Sequence, residues 1–344
     1  MKKTLIASTI LLFGFFATAQ NPVTLQHLGT ASFYTTIDLA YAASVTGDTI
    51  YLPGGIFTTP TTWTINRKLH IYGVGHYPDS TTATGATQYN GTIKFITGSS
   101  GSLLSGVYVN GSIYVGSVLG DQVIDGLTIS RCNVNSTIYL SYNGTTATTG
   151  QNFHIEENLA YNLYCGYAKN VYIERNIISG SVSYLNGNGI NTIRNNIFLA
   201  NYYPFASSSV SFTNIENNIF LCSSYDPSNG VSSSTFNNNL FVYNLTNWQT
   251  NTQSNNFVNQ AQSSIFVAQS GYSFNYAHNY HLKAGCAGIG TGTDATDMGI
   301  YGTSTPYKNG AVPAHPHIRQ QIIAPTTDGS GNLNISIKVG AQDR

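Results

Sequence analysis

Between residues 150 and 245 the chain repeats one pattern of apolar and polar positions five times. An apolar residue is followed three places on by asparagine, and then by further apolar residues. The copies are Ile155-Glu-Glu-Asn158-Leu159-Ala160, Ile173-Glu-Arg-Asn176-Ile177-Ile178, Ile193-Arg-Asn-Asn196-Ile197-Phe198, Ile215-Glu-Asn-Asn218-Ile219-Phe220 and Phe236-Asn-Asn-Asn239-Leu240-Phe241. Their asparagines lie 18, 20, 22 and 21 residues apart. A period of about 20 residues built from short β-type apolar runs predicts a β-solenoid. Coils stacked at about 4.8 Å bring equivalent positions into columns. The pattern therefore predicts one apolar column of Ile155, Ile173, Ile193, Ile215 and Phe236, and a second of Leu159, Ile177, Ile197, Ile219 and Leu240. Asn158, Asn176, Asn196, Asn218 and Asn239 are predicted to form a structural ladder, each amide bonding to the amides above and below. Asparagine also tolerates the left-handed backbone of a tight bend. Asn256-Phe257-Val258 reads as a decayed sixth copy.

Residues 32–43 place Phe33, Ile37, Ala40 and Tyr41 on one helical face, with Ser32 as N-cap. This helix is expected to cover the open end of the first coil. Strand-like runs follow at 92–96, 103–109, 113–115, 123–129 and 137–140, separated by Gly-Ser, Asn-Gly and Gly-Asp turn signals. Residues 80–90 and 143–150 read as surface loops. Residues 306–325 read as an extended, proline-containing arm. In 331–339, Leu333, Ile335, Ile337 and Val339 alternate, which predicts a half-buried closing strand folded back over the last coil.

Two further segments carry a family resemblance. Gly47-Asp48-Thr49-Ile50-Tyr51-Leu52-Pro53-Gly54-Gly55 follows the helix, and Leu69-His-Ile71-Tyr-Gly73-Val-Gly75 follows at the distance of one coil. Near the other end stand Tyr280-His-Leu-Lys-Ala-Gly-Cys-Ala-Gly-Ile-Gly-Thr-Gly and Asp297-Met-Gly-Ile-Tyr-Gly302, with Cys286-Ala287 where such closing segments carry Ser-Pro. Over about residues 32–302 the chain resembles secreted bacterial right-handed parallel β-helix proteins of the pectin-lyase-like superfamily. The resemblance implies an all-β right-handed parallel β-helix with an N-terminal capping helix and a C-terminal arm. Residues 1–19 would be a signal peptide, 20–302 the β-helix with its cap, and 303–344 the arm and closing strand.

The start of the chain reads as an export signal: Lys2 and Lys3, an apolar stretch from Leu5 to Phe16, and the cleavage site Ala17-Thr-Ala19. The mature protein is accordingly expected at the cell surface, outside the cell or in the periplasm, with no membrane span. Charged residues are only 8% and the formal net charge is zero. That composition lacks the clustered Lys and Arg that nucleic acid requires. The four cysteines, Cys132, Cys165, Cys222 and Cys286, show no metal spacing and read as small buried residues, although bridges are open to an exported protein.

Candidate chemistry is sparse. Glu156, Glu174, Arg194 and Glu216 fall in one outward column. As a charge ladder they would pair modestly across strands. As a functional set, Glu174, Arg194 and Glu216 are the catalytic candidates, because cleaving a glycosidic bond needs an acid and a second carboxylate. The superfamily's lyases imply acidic calcium ligands with a basic residue, and its hydrolases clustered aspartates. This chain has no aspartate between Asp125 and Asp226 and no Asp-Asp pair. Nothing in its motifs asks for a metal or cofactor. Tyrosine is abundant, with 24 residues. Tyr161, Tyr164, Tyr184, Tyr202, Tyr203 and Tyr225 fall near successive bends and are candidates for an aromatic strip, on which sugar rings pack well. The expectation is a secreted protein that binds a polysaccharide or cell-surface glycan without catalysis. The alternatives are a polysaccharide lyase or glycoside hydrolase with an atypical site, and a purely structural surface or adhesion module.

Overall fold

The computed structural model describes residues 22–186, 189–206 and 210–340, so the expected signal peptide lies outside the described residues. The chain is nearly all β and winds into a parallel β-solenoid of about ten turns. One long sheet runs from Thr49–Tyr51 through His70–Tyr72, Leu103–Ser105, Thr128–Ser130, Gln151–Glu156, Lys169–Glu174, Asn191–Arg194, Thr213–Glu216 and Thr235–Asn237 to Thr252–Ser254. A second sheet, with Leu159–Tyr164 near its middle, forms the other face.

Register is strict where the repeat predicts it. Ile155, Ile173, Ile193, Ile215 and Phe236 align across successive strands. All five are fully buried in the solenoid interior. Ile178, Phe198, Phe220 and Phe241 face them from the second sheet, and the last three stack ring on ring at 4.7 Å. Each such side chain contributes on the order of 1.5–3 kcal/mol. The second predicted column behaves differently. Leu159, Ile177, Ile197, Ile219 and Leu240 point out of the solenoid, and are buried by Ile265, Phe266, Tyr280, Met298, Ile300 and Tyr307 of the C-terminal segment.

The asparagine ladder forms as expected, in single file. Both the backbone N–H and the Nδ2 of each asparagine donate to Oδ1 of the next, from Asn158 through Asn176, Asn196, Asn218 and Asn239 to Asn256, at 2.8–3.1 Å. Each Nδ2 also donates to a strand carbonyl, such as Ile173 O for Asn196 at 2.8 Å. The left-handed residue of the bend is not the ladder asparagine but the residue before it: Glu157, Arg175, Asn195, Asn217, Asn238 and Asn255 have φ between 52° and 58°, and Arg131 makes the same turn, at φ 51°, before Cys132, whose N–H donates to Asn158 Oδ1. The ladder position must keep its amide turned inward, so the neighbour takes the strained turn.

Other expectations are corrected. The helix is Ile37–Ala43, capped by Thr36, whose hydroxyl accepts from Leu39 N–H. Residues Thr30–Tyr34 form a strand instead, paired antiparallel with Val23–His27, and Phe33 is exposed. That hairpin closes the open edge of the first coil through Thr24 to Gln26 against Thr49 to Tyr51, so edge pairing overrides helical periodicity. Thr87–Tyr89, expected in a loop, is a strand with Tyr89 fully buried. The run at 103–109 splits into Leu103–Ser105 and Tyr108–Val109 around Gly106, at φ 71°. The closing strand, Ile335–Gly340, pairs antiparallel with His317–Ile323, and Ile335, Ile337 and Val339 are exposed rather than half-buried. All four cysteines are free and buried, and burial pushes the Cys132 thiol up to about 12. No helix among the described residues is long and apolar enough to cross a membrane.

Candidate functional site

The bends of the solenoid carry polar side chains at their left-handed positions, and these hold the returning C-terminal segment. Asn238 Nδ2 donates to Thr291 O at 2.7 Å. Asn217 accepts from Thr293 N–H at 2.8 Å, and Asn195 Nδ2 donates to Gly299 O at 3.0 Å. Glu157 Oε2 accepts from Lys308 N–H at 3.2 Å, and Arg131 Nη1 donates to Val312 O at 2.9 Å. The arm thus runs antiparallel to the coil order, from the last coils toward the first. At Gly106 it comes so close that a Cβ there would overlap Pro313. His315 then lies against Tyr72, with ring centroids 3.9 Å apart, and 5.4 Å from the Tyr51 ring.

Beneath this arm the outer face of the long sheet forms a groove of about 640 Å³. Its floor is two strand columns. One runs Tyr72, Ser105, Ser130, Glu156; the other runs Leu103, Thr128, His154. Its roof is Thr305, Ala314 and His315. Small hydroxyl residues keep the middle of the floor low, and Tyr72 and Glu156 rise at its two ends. A second, more apolar cleft of about 480 Å³ adjoins it across the Tyr72–His315 contact, lined by Tyr51, Pro53, Pro313, Pro316 and Ile318. Ile318 belongs to the hairpin, so the closing strands sit at the first coils and not over the last one. The apolar column Leu159 to Leu240 draws the segment back along the solenoid, which is why the arm ends there.

The electrostatics of the groove are internally balanced. Arg131 Nε lies 3.0 Å from Glu157 Oε2, with both side chains buried. Arg175 Nη2 lies 2.8 Å from Glu156 Oε2, and its Nη1 3.1 Å from Glu174 Oε2. Arg194 Nε sits 2.8 Å from Glu174 Oε1 as a charge contact. A buried ion pair is costly to break from one side, because the remaining charge has no water to solvate it.

The candidates drawn from the sequence divide. Glu174, Arg194 and Glu216 do align in one outward column with Glu156. None of the three lines the groove; Glu174 and Arg194 are joined in the ion-pair chain, and Glu216 accepts from Asn214 Nδ2. Glu156 is the member of that column that reaches the cavity. Of the tyrosines, Tyr164 and Tyr184 join Tyr139 and Tyr114 in one file, with centroids 5.7, 5.4 and 4.4 Å apart. Tyr202, Tyr203 and Tyr225 form a separate cluster at 4.6–5.3 Å. Tyr161 is exposed and, among the described residues, makes no ring contact with either group. The rings of the file stack on or meet one another edge to face, so it presents edges and hydroxyls rather than open ring faces. Sequence reasoning missed Tyr72, His154, Arg175 and His315 as groove residues. For Arg175 the available signal was its place before the ladder asparagine Asn176, at a left-handed bend from which the side chain must project; Tyr72, His154 and His315 carried no such mark.

Among the described residues no three His, Cys, Asp or Glu side chains are grouped to hold a metal ion. Asp294 and Asp297 cap turns, accepting from Thr296 and Gly290 N–H respectively. No protein-family model matches the chain, and no curated protein matches it.

Proposed function

We propose that this chain is an exported β-helix protein that binds a carbohydrate polymer without cleaving it. The observation that carries this reading is the roofed groove, which combines an aromatic ring, a row of hydroxyls and a few charged groups in one concave site. Sugars offer apolar ring faces and many hydroxyls that both donate and accept, and a tyrosine beside Ser, Thr and His side chains matches both properties. The superfamily resemblance and the export signal support the same reading: a β-helix of the pectin-lyase-like type acting outside the cytoplasm.

A second reading, glycan cleavage, draws on Glu156, the carboxylate that reaches the groove. Hydrolysis needs one carboxyl group to give a proton and another to act as base or nucleophile. Here Glu156 is engaged by Arg175, and Glu157 by Arg131 and the arm backbone, which favours holding over proton transfer. The test is affinity electrophoresis of the full chain and Tyr72→Ala through gels containing single polysaccharides, with reducing and unsaturated ends measured in parallel. Retardation of the wild type, lost in Tyr72→Ala and without new chain ends, is expected. New ends that vanish in Glu156→Gln would replace binding by catalysis.

A further inference from the structure

We infer that the groove selects neutral sugars over uronates; this rests on the glycan reading above. An acidic sugar is held by a guanidinium or ammonium with a nitrogen free to meet its carboxylate. The groove contains two guanidiniums, and both are already committed. Three of the five N–H groups of Arg131 are spent, on Glu157 at 3.0 and 3.4 Å and on Val312 O at 2.9 Å, and the side chain is only 8% exposed, so its remaining protons are not presented to a ligand. Arg175 gives Nη2 to Glu156 and Nη1 to Glu174. Its Nε has no hydrogen-bond partner among the described residues but is closed to solvent, so no ligand reaches it without displacing the side chain.

The charge balance points the same way. Arg131 and Arg175 are matched by Glu156 and Glu157, and Glu174 on the far side of Arg175 is matched by Arg194, so no net positive charge is left over. A uronate entering the groove meets no uncompensated positive charge and passes beside Glu156, whose side chain is 34% exposed. Like charges at close range in a partly desolvated site repel strongly. The remaining floor suits hydroxyls. Ser130 Oγ donates to Ser105 Oγ at 3.0 Å, leaving Ser105 a hydroxyl proton to give. Thr128, Thr305 and the ring nitrogens of His154 complete a surface that exchanges hydrogen bonds with neutral sugars.

The experiment uses the full chain at about pH 8, where an ordinary imidazole is neutral. Isothermal titration measures cellohexaose, mannohexaose and hexagalacturonate against the wild type and Glu156→Gln. The expected result is that a neutral oligosaccharide binds the wild type at least about tenfold more tightly than the galacturonate. Glu156→Gln leaves Arg175 one carboxylate short and narrows that gap by about tenfold. Equal or tighter galacturonate binding by the wild type overturns the inference but keeps the glycan reading. Binding of none of the three overturns both.

Discussion

Replacing Asn196 by alanine tests the ladder at its centre. Asn196 is fully buried, and its side chain makes five hydrogen bonds. Nδ2 donates to Asn218 Oδ1, Ile173 O and Arg194 O, while Oδ1 accepts from Asn176 N–H and Nδ2. Truncation leaves Asn218 Oδ1 with the backbone N–H of residue 196, and Asn176 Nδ2 with Ile155 O. The backbone N–H of Asn176 is orphaned outright, and one proton of its amide with it. Each buried unsatisfied group costs about 1–3 kcal/mol, so the loss of two is about 2–6 kcal/mol. The internal control is Asn256→Ala. Asn256 ends the ladder and is part-exposed, so water replaces its amide and the expected loss is below about 1 kcal/mol. The assay is urea denaturation followed by far-UV circular dichroism, together with hydrogen exchange at Asn176 N–H. A solenoid can lose coils locally, so a lowered m-value in Asn196→Ala is part of the expectation. A loss at Asn196 no greater than that at Asn256 would refute the ladder as a source of stability.

Two further perturbations follow from buried groups. His76 is buried and its ring titrates at about 3, because burial disfavours the charged imidazolium. Its folded value lies below the unfolded one of about 6.5, so the unfolded chain binds the extra proton and stability falls as pH drops through that window, by up to about 1.4 kcal/mol per pH unit. His76→Gln should flatten the acid limb of a stability-versus-pH curve by that slope; an unchanged limb would show that His76 is not buried neutral. Glu157→Ala strands Arg131 and frees Lys308 N–H, an expected loss of about 3–5 kcal/mol. The arm should also become cleavable by trypsin at Lys308 under native conditions, and continued protection there would mean that its other contacts hold it without Glu157.

Much of the solenoid was legible in the sequence. Stacked coils put like residues over like, so the repeated Ile-x-x-Asn pattern states both the interior column and the ladder. The spacing of 18 to 22 residues is the length of one coil. Local periodicity was misleading where a distant edge set the outcome: Phe33 suited a helical face, yet its segment pairs with Val23–His27. Thr87 to Tyr89 looked polar enough for a loop, yet Tyr89 packs inside against Trp63.

By itself the sequence determined the coil, its register and the asparagine file, because these depend on neighbours one repeat away. It marked Leu159 to Leu240 as apolar but could not say which side of the wall they face. Only the tertiary structure decided that they point outward and that the C-terminal segment covers them. The groove follows from that return. Its floor and roof meet through contacts 151 and 181 residues apart in the chain, at Glu157 with Lys308 and at Arg131 with Val312. No pattern in either segment alone encodes such a meeting, because it depends on burying an apolar column against a strand of chain that the column does not resemble.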